Sequence, residues 1–260
     1  MNTRLIITEG LPCSGKSTMA RLAAELTGGR FYDEGEPHPA ECEFCAFIPE
    51  AAQGEFSAQE LSALARCGEK QDGGLFVQLF GLRDEALLQK ALRFKIYDVL
   101  DWDVERPVML RRWQSFADSA QGVSVFNCVL LQNPMCETMM RFDMPAEQSL
   151  DYIRSICGII APLDPLVIYL RRSDPARDIM AALPERGQDW LDGVIAYHCE
   201  GGYGRAHALS GFEGYIAALE ERQRRELEIL PQLPVRSFVV DTDDRAEAQE
   251  RVRALIAECR

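Results

Sequence analysis

Residues Gly10-Leu11-Pro12-Cys13-Ser14-Gly15-Lys16-Ser17 fit the spacing Gly-x-x-x-x-Gly-Lys-Ser/Thr without a mismatch, and nothing else in the chain restricts its fold so tightly. The loop follows a short apolar run, Arg4-Leu5-Ile6-Ile7-Thr8. It precedes a helical period at Met19, Leu22, Ala23 and Leu26 that stops at Gly28-Gly29. Strand, glycine-bounded loop and helix in that order aim successive backbone N–H groups at one point, and the positive end of the helix reinforces them. The pattern predicts a phosphate cradle formed by Gly10, Pro12, Cys13, Ser14, Gly15, Lys16, Ser17 and Thr18. Lys16 is expected to reach the β- and γ-phosphates of a nucleotide, and Ser17 to ligate Mg2+.

Four further apolar runs read as strands of the buried parallel kind: Arg30 to Asp33, Val123 to Leu131, Leu166 to Arg171 and Arg236 to Asp241. Helical stripes precede the last two, one at Leu150, Ile153, Cys157 and Ile160, the other at Phe212, Ile216, Leu219, Gln223, Leu227 and Leu230. Such alternation implies a parallel sheet covered on both faces. Between the second and third strands lie about ninety residues without a good strand. Their stripes, Leu88, Leu92, Ile96 and Val99, then Leu110, Trp113 and Phe116 entered through Pro107 in a first turn, predict a helical insertion. Its place after the second strand puts it beside the carboxyl ends of the sheet, where open α/β folds bind ligands.

At 260 residues the chain is read as one large domain. Its 28 basic against 41 acidic residues give a net charge of −13, which repels a phosphate backbone, so no nucleic-acid partner is expected. The most apolar stretch, Ile156 to Leu170, is broken by Pro162, Asp164 and Pro165 and falls short of the ~20 residues a membrane span needs. Met1 to Ile7 carries no signal-peptide pattern. With nine cysteines, an odd and scattered set, a cytoplasmic protein with reduced thiols is expected. The only asparagines, Asn2, Asn127 and Asn133, begin no Asn-Lys-x-Asp motif, which disfavours a GTPase switch. Leu209-Ser210-Gly211-Phe212-Glu213 lacks the second glycine and the glutamine of a transporter ATPase signature. Cys42 and Cys45, with His38 nearby, lack the second ligand pair of a zinc site.

The segment ITEGLPCSGKST, with Glu9 directly before the first glycine, resembles the phosphate loops of thymidylate kinases and deoxyribonucleoside kinases. The five-strand layout is similar to that of their superfamily, the P-loop NTPases, along the whole chain. Pro12 stands where thymidylate kinases commonly carry an aspartate, so the resemblance does not extend to thymidylate as substrate. What it implies is an ATP- and Mg2+-dependent kinase, a transferase acting on a small-molecule acceptor. In deoxyribonucleoside kinases a glutamate at the end of the second strand is the general base. Aligning the Glu-Pro step of Tyr32-Asp33-Glu34-Gly35-Glu36-Pro37-His38 maps it onto Glu36, and a shifted register makes it Glu34. At the end of the third strand related kinases show Asp-Arg or Glu-Arg; here Asn127-Cys128 stands instead. Asn127 can serve a metal-bound water without adding charge, which leaves Mg2+ more dependent on Ser17 and the nucleotide.

Gln132 and Asn133 offer two amides that either read a nucleobase edge or cap a turn. Leu170-Arg171-Arg172-Ser173-Asp174-Pro175 resembles the corresponding strand end in thymidylate kinases, where arginines and a lid come next. Arg177 and Arg186 are the arginines expected to meet the charge of the transferring phosphoryl group. Pro184, Gly187, Gly201 and Gly202 give that segment places to bend, and His198, Tyr203, Arg205 and His207 follow in a stretch suited to closing over substrate. In the insertion, Trp102, Trp113, Tyr97 and Phe116 are core or a base-stacking platform, with Arg111 and Arg112 beside them for an acceptor phosphate. The expectation is therefore an α/β chain with the P-loop NTPase fold, spanning residues 1–260. It has a five-stranded, mostly parallel sheet with helices on both faces, a helical insertion at about 40–121 and a lid at about 176–211. A nucleoside or nucleotide is the leading acceptor. The alternatives are an antibiotic or metabolite hydroxyl, or a regulatory ATPase with no small acceptor; a homodimer stays open.

Overall fold

The computed structural model describes residues 3–259; Met1, Asn2 and Arg260, the ends of the expected 1–260 domain, lie outside the described residues. The chain divides into two compact units, one of Met1–Glu34 with Ser119–Arg260, the other of Gly35–Asp118. In the first, strand β1 (Leu5–Gly10) is buried along its length and runs into the glycine loop. Helix α1 (Lys16–Thr27) follows, buries Met19, Ala20, Leu22 and Ala23, and ends where Gly28, at φ +65°, donates its N–H to the Ala24 carbonyl. The short β2 (Arg30–Tyr32) comes next.

The second unit corrects the expectation of an all-helical insertion. It contains β3 (Cys45–Pro49), α2 (Ala58–Arg66), β4 (Gly68–Gln71), β5 (Gly74–Gln78), α3 (Glu85–Leu92) and α4 (Trp102–Ser119). The strands form an antiparallel sheet in the order β3-β5-β4. Gln71 pairs with Gly74 across a two-residue turn, Asp72-Gly73, with Gly73 at φ +80°, the left-handed conformation a tight hairpin requires. Ala46, Ile48, Leu75 and Val77 pack against Leu64 of α2 and Leu87 and Ala91 of α3. The stripe through Leu88, Leu92, Ile96 and Val99 is not one helix. α3 stops at Leu92, and Ile96 donates its N–H to the Cys45 carbonyl at 2.9 Å, so the chain there serves the sheet edge. The second stripe is α4, but Pro107 lies inside that helix, not in its first turn. Trp113 and Phe116 are buried with ring centres 6.4 Å apart, which makes them core. Arg111 donates to the Gln71 side chain and Arg112 to the His38 carbonyl.

The first unit resumes with β6 (Ser124–Asn127), α5 (Gln132–Met135), a π-helical turn, α6 (Ala146–Ile160) and β7 (Leu166–Arg171). Helices α7 (Pro175–Arg186), α8 (Gln188–Glu200), α9 (Gly202–Ala206) and α10 (Gly211–Ile229) lead to β8 (Arg236–Asp241) and α11 (Arg245–Glu258). Its sheet has the order β2-β6-β1-β7-β8, and every pairing is parallel. The third strand is shorter than the run Val123 to Leu131. It ends at Asn127 because Cys128 turns the chain at φ +58° and donates its N–H to the Thr8 carbonyl at 2.8 Å. On one face Ile6, Val125, Ile168 and Leu170 pack against Met19 and Ala23 of α1 and Val252 and Leu255 of α11. Tyr169 points to the other face, where its hydroxyl donates to Glu226 of α10 at 2.6 Å. Residues 176–211 fold into helices broken at Gly187 and Gly201, and Ile179, Leu191 and Cys199 pack with Leu11, Tyr215 and Leu219. Among the described residues no helix is long and apolar enough to cross a membrane.

Candidate active site

The connection leaving β1 goes to one side of the sheet, toward β2, and the one leaving β7 goes to the other, toward β8. Connections that diverge in this way leave a crevice at the carboxyl ends of the strands, and the glycine loop lies in it. Gly10 closes β1 at φ +138°, and a β-carbon there would sit 2.4 Å from the Leu170 carbonyl oxygen, so only glycine lets the loop leave the strand so close to β7. Gly15, at φ +91°, caps α1. The loop is folded on itself: Ser14 N–H donates to the Leu11 carbonyl at 3.3 Å, and Lys16 Nζ donates to that same oxygen at 2.9 Å. Lys16 is only 7% exposed. Cys13 stands at φ +65°, and burial raises its thiol pKa, so it is not a poised thiolate.

Pairing in the sheet brings a polar group to Ser17. Tyr32 of β2 lies opposite Phe126 of β6, and Thr8 of β1 lies opposite Asn127. Asp33 and Asn127, one residue further on, therefore emerge side by side above the first turn of α1. Asn127 Nδ2 donates to Asp33 Oδ1 at 2.8 Å and to Ser17 Oγ at 3.0 Å, and the Ser17 hydroxyl donates to Asp33 Oδ1 at 3.3 Å. Thr8 Oγ1 donates to Asn127 Oδ1 at 3.4 Å, which fixes the orientation of the amide.

Glu9, fully buried in β1, organises the opposite wall. One of its oxygens accepts the N–H groups of Leu130 at 2.7 Å and Leu131 at 2.9 Å, and the other accepts that of Gln132 at 3.1 Å. Gln132 and Asn133 therefore open a short helix rather than a loose turn, and the Gln132 side chain donates to Glu34 Oε1 at 2.6 Å. The Cys128 thiol donates to that same oxygen. Burial pushes the Glu9 carboxyl up to about 7 against the pull of the three N–H donors, and the nearby Glu226 carboxylate adds to the rise. Across β7, Glu226 also faces Arg222 at 3.2 Å.

These elements enclose a cleft of about 770 Å³ lined by the loop from Pro12 to Thr18, by Glu34 and Gln132, and by Arg172, Arg186 and Arg245. Of the two expected arginines, Arg186 lines the cleft, its guanidinium 4.9 Å from the centre of the Trp190 ring. Arg177 does not. Its N–H is held by Asp174 at 2.9 Å, and its side chain is exposed at the solvent side of α7. Arg172, which the reading of the sequence passed over, grips Asp178 with two nitrogens and the Thr242 carbonyl with a third. Glu36 belongs to the second unit, where it lines a small cavity with His38, Glu41 and Cys45. His38 Nδ1 there accepts the N–H groups of Ala40 and Glu41. His198 and Tyr203, expected over a substrate, are buried. Asp33 and Glu9 were missed as site residues, although the acidic run after the second strand and the Glu-Gly step before the loop were the signals that contained them.

The sequence matches no known protein family and no curated protein. Among solved structures it is similar to a thymidylate kinase from Candida albicans at 12% identity and a TM-score of 0.46, over 99% of this chain and 92% of that one. It is similar to a deoxyadenosine kinase from M. mycoides with bound dATP at 15% identity and a TM-score of 0.43, over 96% and 98% of the two chains. A shikimate kinase from Aquifex aeolicus is similar at 13% identity and a TM-score of 0.35, over 98% of each. At this degree of likeness the functional reading rests on the geometry of the site.

Glu9 makes stability depend on pH in a defined direction. Its folded pKa of about 7 lies above the ordinary 4.5, so the folded protein keeps a proton that the unfolded chain releases, and stability is lost as pH rises across that window. Glu41, also held near 7 by burial, acts in the same sense; His38 and His198, pushed down to about 3 and about 4 by burial, act in the opposite sense and flatten the wild-type curve. The readout is therefore the difference between Glu9→Gln and wild type in urea unfolding. It should move in favour of the variant by roughly 3 kcal/mol between pH 5 and pH 8. A difference that stays constant over that range contradicts the assignment.

Proposed function

We propose that this protein is a kinase that transfers the γ-phosphoryl group of ATP, with Mg2+, to a small-molecule acceptor of the nucleoside or nucleotide class. The observation that carries the reading is the convergence of Lys16, Ser17, Glu34 and Arg186 on one cleft at the carboxyl ends of a parallel sheet. The residues present fit a phosphate chain. The Ser14 hydroxyl is buried without a hydrogen-bond partner among the described residues, and a β-carbon added at Gly15 would meet nothing within 4 Å, so the backbone there is open to a ligand. The Ser17 hydroxyl offers an oxygen of the kind that Mg2+ takes when it shares its shell with phosphates, and Asn127, with its Nδ2 toward that serine and its Oδ1 toward Thr8, positions the hydroxyl. Mg2+, when bound, neutralises charge on the phosphate oxygens.

The chain's own groups divide the remaining work. The loop's N–H groups and the Lys16 ammonium, released from the Leu11 carbonyl, hold the β- and γ-phosphates. Glu34, in the unit that carries the loop and held by Gln132, accepts the proton of the acceptor hydroxyl. Arg186, stacked on Trp190 at the far side of the cleft, meets the charge that spreads over the phosphoryl oxygens during transfer. In this reading residues 176–211 act as the lid, bending at Gly187 and Gly201 to exclude water.

Lys16→Ala should lower ATP affinity at least about tenfold in calorimetric titration while the thermal melt stays in place, because the lysine acts on phosphate charge and not on packing. Full affinity in the variant contradicts the site. Glu34→Gln should cut turnover about 10²–10⁴-fold with ATP affinity retained, and Glu36→Gln should leave turnover near wild type. If Glu36→Gln alone shows the loss, the base is Glu36; if neither does, the acceptor presents a phosphate that needs no base.

A further inference from the structure

The end of the third strand of this sheet, Asn127, carries no charge, yet a Mg2+ ion shared with phosphates is ordinarily held by one or two carboxylates. Three acids come from β1 and the end of β2, and two of them bond away from Ser17; Asp178, gripped by Arg172, and Glu185 line the cleft from α7. Glu9 is tied by three backbone N–H groups, and Glu34 Oε1 is held by Gln132 and Cys128. The third, Asp33, is in place beside Ser17. Its Oδ1 accepts from the Ser17 hydroxyl at 3.3 Å, from Asn127 Nδ2 at 2.8 Å and from the Glu34 N–H at 3.0 Å. Its Oδ2 accepts from Arg21 Nη2 at 2.8 Å, on the outer side of α1, where the arginine is 63% exposed.

On the kinase reading above, we infer that Asp33, at the end of β2, supplies the metal's carboxylate in place of an acid on β6. The register of the sheet explains how. Since Tyr32 pairs with Phe126, the next residue on each strand reaches the same point over Ser17, and a carboxylate on either strand serves the same position. Here the acid has the β2 place and the amide the β6 place, joined by a 2.8 Å hydrogen bond. By accepting the Ser17 hydroxyl hydrogen, Asp33 turns the serine oxygen's lone pairs away from itself, one of them taken by Asn127 Nδ2 at 3.0 Å and the other open to the cation, and it adds the negative charge that Asn127 lacks. Arg21 holds the second carboxylate oxygen and thereby the rotamer.

The inference is tested by metal affinity, without turnover. Mn2+, read by electron paramagnetic resonance as a stand-in for Mg2+, is titrated into the protein saturated with a non-hydrolysable ATP analogue, and the analogue is titrated separately without metal. Asp33→Asn should weaken Mn2+ binding at least about tenfold and leave metal-free analogue binding and the thermal melt as in wild type. The exchange variant, Asp33→Asn with Asn127→Asp, puts the same two groups back at swapped positions and should restore Mn2+ affinity to within about threefold of wild type. Unchanged Mn2+ affinity in Asp33→Asn overturns the inference. So does a loss that the exchange variant fails to restore, since the carboxylate is then not what the cation requires. If wild type binds no analogue, the kinase reading falls and takes this inference with it, an outcome distinct from the other two.

Discussion

The site depends on a buried carboxylate that reaches across the sheet. Glu9, at the end of the central strand, holds the N–H groups of three consecutive residues after β6 and so fixes the turn that follows Cys128. A carboxyl buried without partners is costly, and the three N–H groups that Glu9 accepts offset part of that cost, although burial still holds its pKa near 7. The arrangement fixes both neighbours at once. The chain after β1 becomes the phosphate loop, and the chain after β6 presents Gln132 to Glu34. Behind Glu9, the hydroxyl of Tyr169 and the Glu226–Arg222 pair continue the buried polar layer toward α10. The layer is paired in part: Glu226 accepts from Tyr169 and faces Arg222, while Arg222 Nε and Nη2 have no hydrogen-bond partner among the described residues.

The cleft also shows how a protein of net charge −13 can receive a polyanion. Lys16, Arg172, Arg186 and Arg245 line one crevice together with Glu34, Asp178 and Glu185, so basic groups slightly outnumber acidic ones there, against the balance of the whole chain. They do not count equally. Arg172 is already engaged by Asp178 and serves to join β7, α7 and the chain after β8. Arg186 rests on an aromatic face, which leaves its donors for a ligand.

Much of this was legible in the residues. The loop spacing placed the cradle, and the boundaries of β7 and β8 agree with the apolar runs because both strands are buried or flanked by polar turns. What was not legible depends on which strands are neighbours. Asp33 stood in the sequence as one of three acids after the second strand, and only the pairing of β2 with β6 brings it to Ser17. The antiparallel sheet of the second unit was missed because its strands are short and β4, Gly-Glu-Lys-Gln, is polar and only partly buried. Asp72-Gly73, between that segment and the apolar Leu75 to Val77, was the hairpin signal. Helical stripes hid it, since Leu88 and Leu92 do lie on a helix while Ile96, at the same spacing, does not. Arg177 was expected, with Arg186, as an arginine of the segment after the fourth strand, whereas α7 leaves its side chain exposed to solvent.

The central claim is that the cleft transfers phosphate to a small acceptor rather than to water. Its most direct test is to incubate the protein with Mg2+ and γ-labelled ATP against nucleosides, nucleoside monophosphates and hydroxylated metabolites, following ADP and labelled product together. The account predicts that ADP forms in proportion to one acceptor class and that the label appears on that acceptor in equal amount. ADP release at the same rate with every acceptor and with none, all the label appearing as inorganic phosphate, would contradict it.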